Sequence, residues 1–192
     1  MTDTATITPA IPDLSGDYQL DPAHTQLAFV ARYAMVTKVR GLFTDFEGTV
    51  HIDAHDPSKS TAELRIKSAS IDTGQEQRDA HLRNADFLDV ENHPEIVFKS
   101  TGVEPVGDDR YRVTGDLVIK DVTRPLTVEV DYTGSARDPF GNLRAGFEGR
   151  GEINRKEWGI TWNAALETGG FLVGDKVKLE LDVSAVKVTP TS

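Results

Sequence analysis

The chain has 192 residues and a net charge of -10, from 21 Lys and Arg against 31 Asp and Glu. That length suits one domain with a sizeable core, and the acidic balance opposes a broad nucleic-acid footprint and adsorption to an anionic membrane surface. Cysteine is absent, which excludes disulfides, thiolate metal sites and a thiol nucleophile.

Residues 1–16 are rich in Thr, Pro and Asp and have no usable periodicity, so they are expected to form a mobile N-terminal arm. They lack the basic start and continuous apolar stretch of a signal peptide. A cytoplasmic location is therefore expected. From Asp17 to Val188 the pattern is strand-like, and one domain is expected over 17–188. Weak alternation runs through Leu27–Val36 and Phe43–Asp53. It is strict in Ala62–Lys67, where Ala62, Leu64 and Ile66 alternate with Glu63, Arg65 and Lys67.

Thr73 to Leu88 breaks the pattern. It carries helix formers, and Thr73 is a plausible N-cap, so a short helix is expected over one end of a sheet. Alternation returns in Glu95–Val103, Tyr111–Lys120, Leu126–Tyr132 and Leu143–Ile153. Asp121-Val-Thr-Arg-Pro125 is expected to be a tight connection. Asn154 to Asp175 holds Trp158, Ile160, Trp162, Phe171 and several glycines in a predicted loop, which needs cover and is expected to wall or lid a cavity. Val177–Val183 alternates strictly again.

The predicted architecture is all-β: eight antiparallel strands with short links, closed into a barrel with a short helix over one end. Eight strands leave an interior that side chains fill or that holds one small ligand. Ala31, Gly48, Gly115 and Gly149 share parity with bulky neighbours. They either relieve curvature or leave room for a ligand, and the pattern alone leaves both open.

Seven blocks then fall in order: Tyr18-x-Leu20-Asp21-Pro-Ala-His24-Thr25; Val39-Arg-Gly41-x-Phe43-x-x-Phe46-x-Gly48; Arg78-Asp79-x-His81-Leu82 with Asp86-Phe87-Leu88-Asp89; His93-Pro94-x-Ile96-x-Phe98-x-Ser100; Gly115-x-Leu117-x-Ile119 with Pro125; Asn154-Arg155-x-x-Trp158-Gly159-Ile160; and Gly174-Asp175-x-Val177. Together they resemble the YceI-like family of polyisoprenoid-binding proteins over nearly the whole chain. The resemblance implies a lipocalin-like barrel that holds a long prenyl or fatty chain. Trp158 stands where the family motif has Phe. Some family members carry a signal peptide and work in the periplasm, and this chain departs from them there.

The expected occupant is an isoprenoid or other long-chain apolar ligand of polyprenyl or prenyl-quinone type, for transport, storage or sequestration. Phe29, Phe43, Phe46, Phe98, Phe147, Ile160, Trp162 and Phe171 are the expected apolar contacts. A headgroup needs polar partners at the rim, and His24, Arg78, His81, Asn154 and Arg155 sit at expected element ends. Arg155 suits a phosphate, and the histidines a carbonyl or hydroxyl. The competing role for each is anchoring the helix or loop. No compact ligand spacing joins the five histidines, so neither metal nor cofactor is expected. There is no GxSxG nucleophile elbow, and no catalytic residue is expected. The rival readings are an enzyme acting on a lipid or quinone headgroup through His24, His81 or Asp79, and a filled barrel that binds a partner. No integral membrane segment and no nucleic-acid partner are expected, and a homodimer stays open.

Overall fold

Period-two alternation gives each strand one apolar face, and eight such faces bury one another by rolling into a tube. The computed structural model describes residues 13–189. Its strands are β1 (Gly16–Leu20), β2 (Gln26–Tyr33), β3 (Thr37–Phe43), β4 (Phe46–Ile52), β5 (Thr61–Lys67), β6 (Ile71–Asp72), β7 (Glu95–Gly107), β8 (Arg110–Ile119), β9 (Val122–Arg137), β10 (Leu143–Asn154) and β11 (Val173–Lys187). One α-helix, α1 (Glu76–Arg83), lies between β6 and β7.

These eleven segments make eight staves. β1 and β2 run in line along β11, with Tyr18 opposite Lys187 and Leu27 opposite Leu181. β3 pairs with β2 and β4 with β1. β5 pairs with β4 and β6 with β3. Three staves are therefore each interrupted once. The others follow as an antiparallel meander, and the β1–β11 pairing closes the circuit. The predicted eight-stranded barrel with a short helix is the observed fold.

One end of the barrel is closed. There α1, the segment before β7, and the 155–172 loop pack over the apolar cluster of Ile71, Phe87, Leu88, Ile96, Leu117 and Trp158. At the opposite end a smaller cluster centres on Tyr18, Ala145 and Ala185. Tyr18 is fully buried, and its hydroxyl donates to the Leu14 carbonyl at 2.8 Å.

Three local expectations are corrected. Asp121–Pro125 is no loop: the turn is Lys120–Asp121, both with positive φ, and Pro125 lies inside β9 opposite Asp116. Proline is tolerated because β10 pairs with β9 only as far as Arg150 opposite Glu129, which leaves this end of β9 a free side. Thr73 does not cap α1, whose N-cap is Gln75. Instead the buried Asp79 carboxylate accepts the Thr73 amide at 2.9 Å and its hydroxyl at 2.5 Å. Residues 1–12 of the expected arm lie outside the described residues, whereas Gly16 already belongs to β1.

The inward glycines serve packing. A Cβ at Gly41 would meet the Phe29 ring, and one at Gly115 would come within 2.6 Å of the Phe98 ring. Each bare backbone is thus covered by a cross-strand phenylalanine, whose ring occupies the space a side chain would take.

Candidate functional site

The tube is incompletely filled. A cavity of about 570 Å³ runs from the closed end to the opposite rim, inside the roughly 300–1,000 Å³ range of small-molecule sites. Its floor is formed by Ile71, Leu82, Phe87, Leu88 and Ile160. Its walls are the inward residues of the staves, among them Phe29, Phe43, Phe98, Val128, Leu179 and Leu181. At the rim the lining changes to Leu14, Asp53, Ser60, Asp109, Tyr111 and Tyr132, on or beside the turns at 53–60 and 107–110.

Of the apolar residues expected from sequence, Phe29, Phe43, Phe98, Phe147 and Ile160 line the cavity. Phe29 and Phe43 pack with centroids 5.6 Å apart, and Phe147 packs on Tyr132 at 5.7 Å. Phe46 is buried but does not line it. Trp162 packs outside the floor, edge-on to His81 at 4.7 Å. Phe171 is 58% exposed, because it sits at the tip of the loop, paired with Ala165.

The polar residues expected at the rim are placed elsewhere. His24 follows β1 on an exposed turn, with Nδ1 2.7 Å from Asp21 Oδ2. Asp21 also accepts from Arg144 at 2.7 Å, and that guanidinium chiefly holds its carboxyl below the ordinary range. Arg78 donates to the Thr73 hydroxyl and carbonyl at 2.6 and 2.8 Å. His81 is bound to Asp86 at 2.9 Å and flanked by Phe87 and Trp162. Asn154 accepts the Lys156 amide and caps the short turn Arg155–Trp158. None of these four lines the cavity.

Arg155 does reach the cavity, but at the closed end. Its guanidinium is buried and donates to four main-chain carbonyls: Ile160 at 2.8 Å, Trp162 at 2.9 Å, Gly174 at 2.9 Å and Val173 at 3.2 Å. Burial lowers its pKa, opposed by Asp175. These bonds tie the 155–172 loop to the start of β11. Beside it Trp158 is 1% exposed, and its indole N–H donates to the Leu117 carbonyl at 2.9 Å. The loop thus contributes Ile160 to the floor of the cavity and is pinned by one arginine and one tryptophan.

Sequence reasoning passed over the rim. Tyr111 and Tyr132 share inward parity with Val113 and Val130, and that parity was the available signal. Asp53 and Asp109 sit on unrelated turns, and no spacing links them before the barrel closes. Asp53 accepts the amides of Asp56 and His55, at 2.9 and 3.0 Å, which holds its carboxyl below the usual range, the Asp56 bond contributing most. Among the described residues no group of three metal-ligating side chains converges. Among them also, no helix is long and apolar enough to cross a membrane.

A family model for the YceI-like domain matches residues 18–185. The chain belongs to that family. A UPF0312 protein of Azotobacter vinelandii is 37% identical over 149 residues, covering 77% of this chain and 78% of the relative. Protein YceI of Escherichia coli is 38% identical over 149 residues, with the same coverage. Among solved structures, Burkholderia cenocepacia BcnA aligns with a TM-score of 0.76 at 24% identity, over 86% of this chain and 98% of that one. A polyisoprenoid binding domain from Saccharophagus degradans aligns with a TM-score of 0.67 at 15% identity, over 89% of this chain and 98% of that one. At those identities the two structures show the shared fold. This YceI-like chain therefore shares their closed-barrel fold.

Proposed function

We propose that the protein binds one long-chain isoprenoid lipid, tail inward, and carries or sequesters it without chemical turnover. The observation that carries this reading is the cavity: hydrocarbon-lined from floor to wall, with its polar side chains, Arg155 at the closed end apart, gathered toward one rim. Each buried CH₂ contributes about 0.8 kcal/mol, so a prenyl tail supplies ample gross affinity. Costs of association offset much of it. The polyisoprenoid-binding name of the S. degradans neighbour agrees with this ligand class. Against the enzyme reading, Asp79, His24 and His81 are each engaged with their own neighbours and none lines the cavity.

Purified full-length protein is extracted with organic solvent and the extract analysed by mass spectrometry. Delipidated protein is then titrated with a prenyl quinone while the emission of Trp158 and Trp162, at and behind the floor, is followed. A stoichiometric prenyl lipid in the extract, or saturable binding with a changed spectrum, is expected. An empty extract together with no binding overturns the proposal.

A further inference from the structure

We propose that the cavity takes long-chain cationic amphiphiles, a hydrocarbon tail bearing an amine head, and discriminates against phosphate- and carboxylate-headed chains of the same length. This rests on the tail-binding reading above and adds the head.

The charged residues among the cavity's lining are Asp53, Glu63, Asp109 and Arg155. Glu63 bonds outward to Arg65 at 3.2 Å. Arg155 lies at the closed end, away from the rim, with four of its five N–H donors on main-chain carbonyls and its Nη2 facing Asp175 at 3.9 Å, so it does not serve a head at the mouth. The rim itself therefore presents two carboxylates, from turns on neighbouring sides of the mouth. The cations nearest in sequence are paired with other carboxylates: Lys59 lies 3.9 Å from Asp56, its charge also helping to lower the Asp53 carboxyl, and Arg110 lies 3.7 Å from Asp131. Neither lines the cavity.

A tail seated in the tube leaves its head at this rim, where hydration is kept. An ammonium there meets two carboxylates, with the aromatic rings of Tyr111 and Tyr132 lining the same rim. A phosphate meets the same carboxylates as like charge, with only the neutral hydroxyls of Ser60, Tyr111 and Tyr132 to set against them. An uncharged head gains neither effect. The tail thus decides whether a molecule enters, and the rim decides which head it carries.

The test holds the tail constant. Dodecylamine, dodecanol and dodecyl phosphate, each below its micelle concentration, compete with a neutral solvatochromic dye for the full chain. The amine should bind at least about tenfold more tightly than the phosphate, with the alcohol between them, and added salt should narrow the gap. The double variant Asp53→Asn/Asp109→Asn should bring amine and phosphate within about threefold. Asparagine keeps the acceptor oxygen that the Asp53 turn uses and adopts the positive φ of residue 109. The same charge change made at exposed residues Glu91→Gln/Glu167→Gln should preserve the wild-type ratio, which separates the rim from net charge. A phosphate that binds as tightly as the amine, or a ratio unmoved by the rim variant, overturns the proposal. Equal binding of all three probes removes the head selectivity but leaves the tail site standing. Failure of all three removes both.

Discussion

Replacing Arg155 with alanine tests whether this side chain is an anchor or a ligand contact. The guanidinium is nearly fully buried and serves four carbonyls on both strands of the loop's base. Alanine leaves the carbonyls of Ile160, Trp162, Val173 and Gly174 without that donor, in a place water reaches only if the loop lifts. Removing one partner from a buried charged network costs about 3–5 kcal/mol. For a chain of this size about 1 kcal/mol corresponds to about 2–4 °C in Tm, so Tm should fall by about 6–20 °C. Lysine keeps the charge but not the fork, so it should recover no more than about half of the loss. Thermal melts followed by circular dichroism give the first readout. Hydrogen exchange of residues 159–174 gives the second, with protection lost in the variant even without lipid. A Tm within about 2 °C of wild type, with the loop still protected and only lipid affinity reduced, would refute the anchor and restore Arg155 as a headgroup contact.

Trp158→Phe keeps the ring but loses the N–H donated to Leu117, and chemical denaturation should show a loss of about 1–2 kcal/mol. Gly115→Ala places a methyl 2.5 Å from the Lys99 carbonyl and 2.6 Å from the Phe98 ring. It should destabilise by about 1–3 kcal/mol and, by pushing Phe98 inward, weaken lipid binding in the same titration. Asp138 has its carboxyl lowered from 3.8 to about 2, chiefly by the Asn142 amide. A lowered folded-state pKa stabilises above the unfolded value and loses that contribution as pH falls through the folded one. The stability gap between wild type and Asp138→Asn should therefore be present above about pH 4 and vanish near pH 2 in melts across that range.

The staves most legible in the sequence are those with an unbroken ladder. Leu126–Tyr132 and Val177–Val183 alternate strictly because β9 and β11 keep the same faces inward and outward over those spans, their register shifts falling beyond Tyr132 and before Val177. The first two staves alternate weakly, and in the third the strict Ala62–Lys67 ladder stops short of Ile71, since each of the three changes course once and resets its parity. Pro125 misled because a ladder needs an N–H only where a neighbour pairs, and pairing is a property of the closed sheet. Arg155 was visible as an arginine ahead of an apolar loop, but its partners are carbonyls, which every residue carries and no side-chain pattern marks. The rim was illegible for a related reason: Asp53 and Asp109 become neighbours of one opening only through closure.

The interruptions in the first three staves fall at one height. Asp21–Thr25 separates β1 from β2, Thr44 and Asp45 separate β3 from β4, and Ser68–Ser70 separates β5 from β6. Across this line the strand ladder gives way to isolated bonds, the Thr44 amide to the Ser70 carbonyl at 3.3 Å and the Lys67 amide to the Asp45 carbonyl at 2.9 Å. A tube woven from continuous ladders resists flattening evenly around its girth. This one is creased across three adjacent staves; β7 begins at the edge of the crease, with Glu95 opposite Lys67, and β7 to β11 are each one unbroken strand that together form a stiff back. Elastic strain therefore gathers along the crease, and the wall bends there first. The floor and the rim can tilt against each other while the back of the tube stays intact, so the width of the bore becomes adjustable by bending and not by breaking strands.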